Sequence, residues 1–475
     1  MTIGLERVPE VTQRGTAASR NAPDLVRGLN LTMSTAIIVG SMVGTGIFLK
    51  PSEVARLAGS AELAIGAWIV GGLLNLLGAL CYLEMGTMMP QAGADYHYLK
   101  RAWGPAVGFL YGWKGLALSH PASLAAAGAG IALFAGGLWP GLNQPLAHVG
   151  PFTIQAGQLF AAAVILAFTA VNLLKVATVG WVQTGLTALK VGSLVAVILA
   201  GLWAATHSHA AVAATGPHRG ISFAGFVAAV TASLWAFSGW HTLLRVGSEV
   251  KDPTRTMPRA TIGGFGVTAL LFILVNVACF AVLGFDRVAA GKQPVADMLL
   301  VGFGAGAASL LIVAMIVSAV GSLNVSVMAS ARVPFAVARD GLLPRQLAHV
   351  DPDNRIPSVS VIAMSAVALV LVLSGSFEDL TSLFVFTQWG FYMISVAGLI
   401  RLRIKEPDAP RPLKVWGYPF LPAAFVVLAA VLTVSQFLER PGRSMLGLLI
   451  VLLGVPIYSW LDRRRARVAS VRGEG

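Results

Sequence analysis

Charge is what this chain has least of. Only 12% of its 475 residues are Asp, Glu, Lys or Arg, about half the share of an average soluble domain. Hydrophobic residues make up 56%, and the mean hydropathy is +0.75. That balance excludes an ordinary water-soluble globule and implies a polytopic helical membrane protein. Cysteine is nearly missing: Cys81 and Cys279 stand alone in apolar runs, so no disulfide framework is expected. A phosphate-binding Gly-Lys-Ser/Thr loop is also lacking, which excludes ATP drive by this chain. No catalytic constellation is visible, and neither enzymatic activity nor a cofactor is expected. Residues 1–28 are polar and carry Arg7, Arg14, Arg20 and Arg27, with no apolar core of signal-peptide type. A cytoplasmic N-terminal tail is expected, with the first apolar run acting as its own insertion signal.

Long apolar runs are abundant. A crossing needs about 20 such residues, and that ruler predicts twelve spans: 29–57, 63–86, 96–136, 156–174, 179–205, 222–244, 261–284, 298–331, 358–375, 380–400, 418–438 and 444–461. The third and eighth exceed a bilayer's thickness, so they either tilt or extend beyond it. His120-Pro121 should kink the third, because proline removes a backbone donor. With the N-terminus inside, 25 of the 34 Lys and Arg residues fall on that side and seven on the other, Lys114 and Lys190 lying within spans. Basic residues mark the cytoplasmic face, so both termini are placed inside, the last being a basic tail at 462–475. The formal charge of +13 is then topology, and no nucleic-acid partner is needed to explain it.

Two spans contain their own interruption. The first carries GSMVGTGIF at 40–48, three glycines among small hydroxyl residues in mid-bilayer. Glycine weakens a helix, and a break exposes peptide groups that lipid cannot satisfy. The amides of Gly44, Thr45 and Gly46 would open a half-helix whose positive end suits a carboxylate. Carbonyls near Ser41 and Met42 would face a cation. The alternative is a glycine-lined packing face, which lets helices approach closely. The sixth span carries WAFSGW at 235–240, with its interruption expected at Ser238-Gly239. Interrupted helices at matching positions of two halves point to a transporter binding site. Here the halves are 29–205 and 222–400, five spans each, with 418–461 holding the last two. Five is odd, so the second half must be inverted.

These features, with GADY at 93–96, SEVKDPTRTMPR at 248–259, ARDG at 338–341 and RPLKVWGYP at 411–419, resemble the L-type amino acid transporter branch of the amino acid–polyamine–organocation superfamily. The resemblance runs from Leu29 to about Pro422. It implies an all-α, leucine-transporter-type fold of twelve transmembrane helices, with a 5+5 inverted repeat and broken helices 1 and 6. It also implies a sodium-independent carrier of neutral L-amino acids, an exchanger in a bacterial inner membrane. Helices 1, 2, 6 and 7 would rock against 3, 4, 8 and 9. By position, the substrate carboxylate would meet the amides of Gly44, Thr45 and Gly46. The ammonium would meet the carbonyls of Met42, Trp235 and Ser238, with Val43 adjoining. Trp235 and Phe237 would wall or gate the site, and Gln388 would touch the substrate side chain.

Lys190 lies about eleven residues into the fifth span. A mid-bilayer lysine costs about 2.5–3.5 kcal/mol on insertion scales, so it needs a partner or a role. The resemblance implies that it replaces a sodium ion between helices 1 and 8, bonding carbonyls near the first break and a hydroxyl, Ser326 first and Ser322 in reserve. Lys114 is expected to pair with a carboxylate or snorkel, and Glu84 to belong to a cytoplasmic gate or pair locally. His241 follows the second interruption, where a histidine either titrates and makes transport pH-sensitive or acts as a simple hydrogen-bonding group. His207, His209 and His218 have no acidic or cysteine companion, and no metal is expected there. The loop 138–151 has no cysteine, so no disulfide-linked heavy chain is expected, and the sequence leaves the oligomeric state open. Two other functions stay in view. A cationic amino acid or polyamine carrier would need pocket carboxylates, and a transporter-like receptor would usually carry a longer cytoplasmic tail.

Overall fold

The computed structural model of the chain describes residues 24–149, 152–207, 222–291, 293–374, 377–439 and 441–471, and it is almost wholly helical. The first part of the chain forms α1 (Leu31–Met42), α2 (Gly46–Leu49), α3 (Pro51–Ala58), α4 (Ala61–Met88), α5 (Asp95–Trp103), α6 (Pro105–Lys114), α7 (His120–Leu138), α8 (Ala156–Val171) and α9 (Val176–His207). After the segment 208–221 come α10 (Phe223–Ala236), α11 (Thr242–Arg245), α12 (Pro253–Ala290), α13 (Pro294–Phe303), α14 (Ala305–Ser330) and α15 (Arg332–Arg339). The chain then forms α16 (Ser358–Ser374), α17 (Phe377–Lys405), α18 (Phe420–Glu439) and α19 (Pro441–Val471).

Among the described residues, eight segments are long and apolar enough to cross a membrane, and four further apolar helices run 10–17 residues. The spans read at 156–174, 222–244 and 358–375 are these shorter helices, and 380–400 falls inside α17. Side-chain oxygens cap several starts: Asn30 accepts from Met33 N–H at 2.9 Å, Ser60 from Leu63 at 3.2 Å and Ser222 from Gly225 at 2.9 Å.

The third and eighth spans are divided, which accounts for their length. Gly104, at φ +99°, separates α5 from α6, and Gly304, at φ +80°, separates α13 from α14. Only glycine adopts that backbone cheaply. A π-helical turn, Gly115–Ser119, joins α6 to α7 just before His120-Pro121. Proline there has no N–H to give, and the ladder widens by one residue. A feature absent from the sequence reading is the antiparallel ribbon of β1 (Pro145–Val149) and β2 (Phe152–Gln155) after α7.

Packing places α1 against α9, α12 and α14, while α7 runs along α14, α16 and α17. Lipid tails are as apolar as these side chains, so close fit, rather than escape from water, holds such helices together. Trp68 of α4 meets Phe237 and Phe272 edge-on at 5.8 and 5.9 Å, and Phe237 stacks on Phe265 at 5.8 Å. Near the start of α1, Leu29 pairs backbone bonds with Glu249 and Lys251, and the buried Glu249 carboxylate takes two bonds from Arg332 at 2.7 and 2.8 Å. Removing one partner of such a buried pair costs about 3–5 kcal/mol, so this end of the bundle is firmly tied. Glu84 pairs locally: Arg403 donates to it at 2.8 and 2.6 Å, and the Val415 amide at 2.8 Å.

Candidate functional site

Helix α1 stops at Met42, Val43 leaves helical geometry with ψ 85°, and α2 opens at Gly46. Helix α10 stops at Ala236, residues 237–241 form turns, and α11 opens at Thr242. The two non-helical stretches touch. The Ser41 hydroxyl lies 2.9 Å from both the Ile38 and Gly239 carbonyl oxygens, donating between them. A Cβ on Gly239, whose φ is +112°, would stand 2.8 Å from the Ser41 carbonyl oxygen. One on Gly46 would stand 2.8 Å from Ala236 Cα and 3.2 Å from the Trp235 ring. Glycine is needed at both because backbone meets backbone there.

A cavity of ≈ 120 Å³ lies between them. Its walls are Ser41, Met42, Gly44, Thr45 and Gly46 from the first break, and Trp235, Ala236 and Ser238 from the second. Helix α7 adds Ser123, Ala126 and Ala127, and α14 adds Ala319, Ser322 and Ser326. None of these side chains is charged. The Gly44 amide turns back to the Met42 carbonyl at 2.9 Å. The Thr45 and Gly46 amides meet no backbone acceptor among the described residues, and both residues line the cavity. The Trp235 carbonyl accepts from Ser238 N–H at 3.1 Å and from the Phe237 N–H, while that of Met42 takes the Gly44 bond and keeps a second lone pair. Outside the cavity the Lys50 ammonium sits 5.7 Å over the Trp235 ring.

Behind the first break stands Lys190 of α9, 1% exposed. Its Nζ donates to the Gly40 carbonyl at 2.8 Å, the Val43 carbonyl at 2.7 Å and Ser322 Oγ at 3.4 Å. Ser318 adds a bond to the Val43 carbonyl at 2.9 Å, and Ser322 one to Gly40 at 3.0 Å. An unwound helix end presents carbonyls with partial negative charge, and an ammonium satisfies several at once. The hydroxyls at this point are Ser322 and Ser318, not Ser326, which lies a turn further along α14 and faces the cavity. One helical turn decides between them, and sequence spacing does not reveal depth.

Met42, Gly44, Thr45, Gly46, Trp235, Ser238, Ser322 and Ser326 are thus brought together. Val43 turns its carbonyl to Lys190 instead. Phe237 is buried among Trp68, Phe265 and Phe272, away from the cavity. Gln388 accepts from Lys114 Nζ at 2.8 Å and does not line the cavity. His241 bonds Tyr392 at 2.6 Å. Lys114 neither snorkels nor meets a carboxylate: it is fully buried, and no ion pair reaches it among the described residues. His207 caps the end of α9 against the Trp203 carbonyl at 3.0 Å, while His209 and His218 lie outside the described residues. Ser123, Ala126, Ala127, Ala236 and Ala319 escaped the sequence reading. Small residues on a helix carry no sign of which face they serve.

A polytopic helical bundle enclosing a small, uncharged cavity between two helix interruptions defines a membrane carrier. Residues 29–456 match the amino acid permease family. Serine/threonine exchanger SteT of Bacillus subtilis is 29% identical over 446 residues, 93% of this chain and 98% of its own length. Large neutral amino acids transporter small subunit 2 of Homo sapiens is 31% identical over 450 residues, 91% of this chain and 80% of its own. The b(0,+)-type amino acid transporter 1 of Mus musculus is 28% identical over 452 residues, 92% and 88% of the two chains. This chain belongs to the amino acid permease family of the amino acid–polyamine–organocation superfamily, whose members here are transporters rather than enzymes.

Proposed function

We propose that the chain is a sodium-independent exchanger of neutral L-amino acids, working by alternating access in a bacterial inner membrane with both termini cytoplasmic. The fold proposed is twelve transmembrane helices in a 5+5 inverted repeat, with α1–α2 and α10–α11 as its broken members. In this reading the domains are the tails 1–28 and 462–475, the repeats 29–205 and 222–400, and the final pair 418–461. The substrate carboxylate takes the Thr45 and Gly46 amides, with the Thr45 hydroxyl beside them. The ammonium takes the carbonyls of Met42, Trp235 and Ser238. Small walls at Ser123, Ala126, Ala127 and Ser326 favour short side chains, serine, threonine and alanine, over leucine. That agrees with the serine/threonine exchanger among the relatives. The carbonyl-bound Lys190 carries the sodium-independent reading, because its Nζ occupies the place a coupling cation would take. No lining side chain is a carboxylate, which weighs against a cationic substrate.

The test is counterflow of labelled serine in proteoliposomes, in sodium and in choline buffers. Equal exchange in the two is expected. A strong requirement for sodium would overturn the role of Lys190, and no exchange of any neutral amino acid would overturn the carrier reading in favour of a receptor.

A further inference from the structure

A second buried polar cluster lies away from the cavity, around Lys114 at the end of α6, beside the π turn Gly115–Ser119. Its Nζ donates to Gln388 Oε1 at 2.8 Å and stands 4.7 and 5.1 Å from the ring centres of Tyr111 and Phe391. The carboxylate of this region, Asp95, is already engaged. Tyr82 and Tyr111 donate to it at 2.8 and 2.9 Å, and Arg245 lies 3.8 Å away. Asp95 and Arg245 cancel each other's charge, so among the described residues a protonated Lys114 is the one unbalanced cation of the cluster. The other titratable groups facing it are His120 on α7, His241 at the start of α11 and Tyr392 on α17.

Gln388 supplies the second observation. Its Oε1 accepts from Lys114, while its buried Nε2 makes no well-formed hydrogen bond and interacts with the Tyr392 hydroxyl. A poorly met buried donor costs up to about 1–3 kcal/mol, so it calls for a better use in another state. A primary amide has an acceptor on one side and a donor on the other. Turned over, Nε2 would donate to the lone pair of an uncharged amine. The cluster can therefore house Lys114 with or without its extra proton. The ammonium has the amide oxygen and two ring faces, and the amine has the amide nitrogen. Four residues along α17, the Tyr392 hydroxyl meets His241 at 2.6 Å, and His241 closes the 237–241 break whose Ser238 lines the cavity.

We propose that Lys114 is a proton-binding site coupled to transport, with Gln388 as the reversible partner of its two forms. The step makes or breaks one Nζ–H bond, with water as donor and acceptor of the proton, and nothing is oxidised or reduced. The proposal rests on the transport reading above.

It is tested with full-length protein in two ways: serine binding to the purified protein in weak buffer with a pH dye, and exchange of labelled serine in proteoliposomes. Serine binding to the wild type should take up or release protons, and the exchange rate should change about fivefold between about pH 5.5 and about pH 8.5. Lys114→Met, and Lys114→Arg with its permanently charged guanidinium, should move no protons and vary less than about twofold over that range. A wild type that binds serine without taking up or releasing protons overturns the proposal, as does a Lys114→Met protein that keeps the wild-type profile. Should Lys114→Met fail to fold by gel filtration, Gln388→Leu keeps the lysine and removes both amide partners. Its profile should shift by about one pH unit, and an unmoved midpoint overturns the proposal. A wild type that binds no serine would count against the transport reading itself.

Discussion

Lys190 and Lys114 are both lysines of the membrane-spanning bundle with almost no exposure, yet their surroundings differ in kind. The Lys190 ammonium spans two backbone carbonyls and a hydroxyl at 2.7–3.4 Å, all belonging to elements that meet at the first helix break. Lys114 has one amide oxygen at 2.8 Å and two aromatic faces. The first site meets the lysine with three acceptors and ties α9 and α14 to the unwound segment. The second offers one acceptor and, on the same amide, a donor without a well-formed bond, a surrounding that serves two protonation forms. Burial alone does not tell what a membrane lysine is for. The number and kind of groups it meets does.

The largest effect should come from Lys190→Ala. It strips the Gly40 and Val43 carbonyls of their shared donor, and hydrogen bonds to a charged group contribute about 1.5–3 kcal/mol each, so serine exchange should fall by about a hundredfold or more. Initial rates in proteoliposomes measure this, and a mutant retaining a third of wild-type exchange would erase the contrast with Lys114. Next comes Gly46→Ala, whose new methyl would press on Ala236 Cα at 2.8 Å. Overpacking of this kind costs about 1–3 kcal/mol, and serine binding should weaken about tenfold, read by a binding assay on purified protein. Ser322→Ala removes one hydroxyl from the Lys190 site and should slow exchange about fivefold, one neutral hydrogen bond's worth. Ser326→Ala should act least on rate. It faces the cavity rather than the lysine, so it should shift the preference between serine and alanine by about threefold in competition assays. If Ser326→Ala slowed exchange more than Ser322→Ala, the placement of the two hydroxyls would be reversed.

Much of this was legible in the chain itself. Runs of apolar residues mark membrane helices because lipid demands them, and glycines at 40–48 and at 239 mark places where a helix can stop. A lysine deep in an apolar run declares that it has partners. The partners themselves were harder to read. Ser318, Ser322 and Ser326 follow one another at one-turn spacing on α14, and nothing in the spacing says which lies level with the first break. Phe237 sits two residues from Trp235, yet the turn at 237–241 directs it into the Trp68 cluster while Trp235 faces the cavity. Gly104 before Pro105 was a readable sign that the third span is divided. The poorly bonded Nε2 of Gln388 had none, since its state depends on what α6 brings to it.

The sequence by itself determined that this chain lives in a membrane, where its helices run, and which of them carry weak points rich in glycine. Those follow from local rules, hydropathy and backbone freedom, which act within one stretch of chain. Tertiary structure alone decided which peptide groups stay free, which serine meets Lys190, and that Lys114 rests on an amide rather than a carboxylate. These depend on distances between helices far apart in sequence, where a shift of one turn exchanges one partner for another.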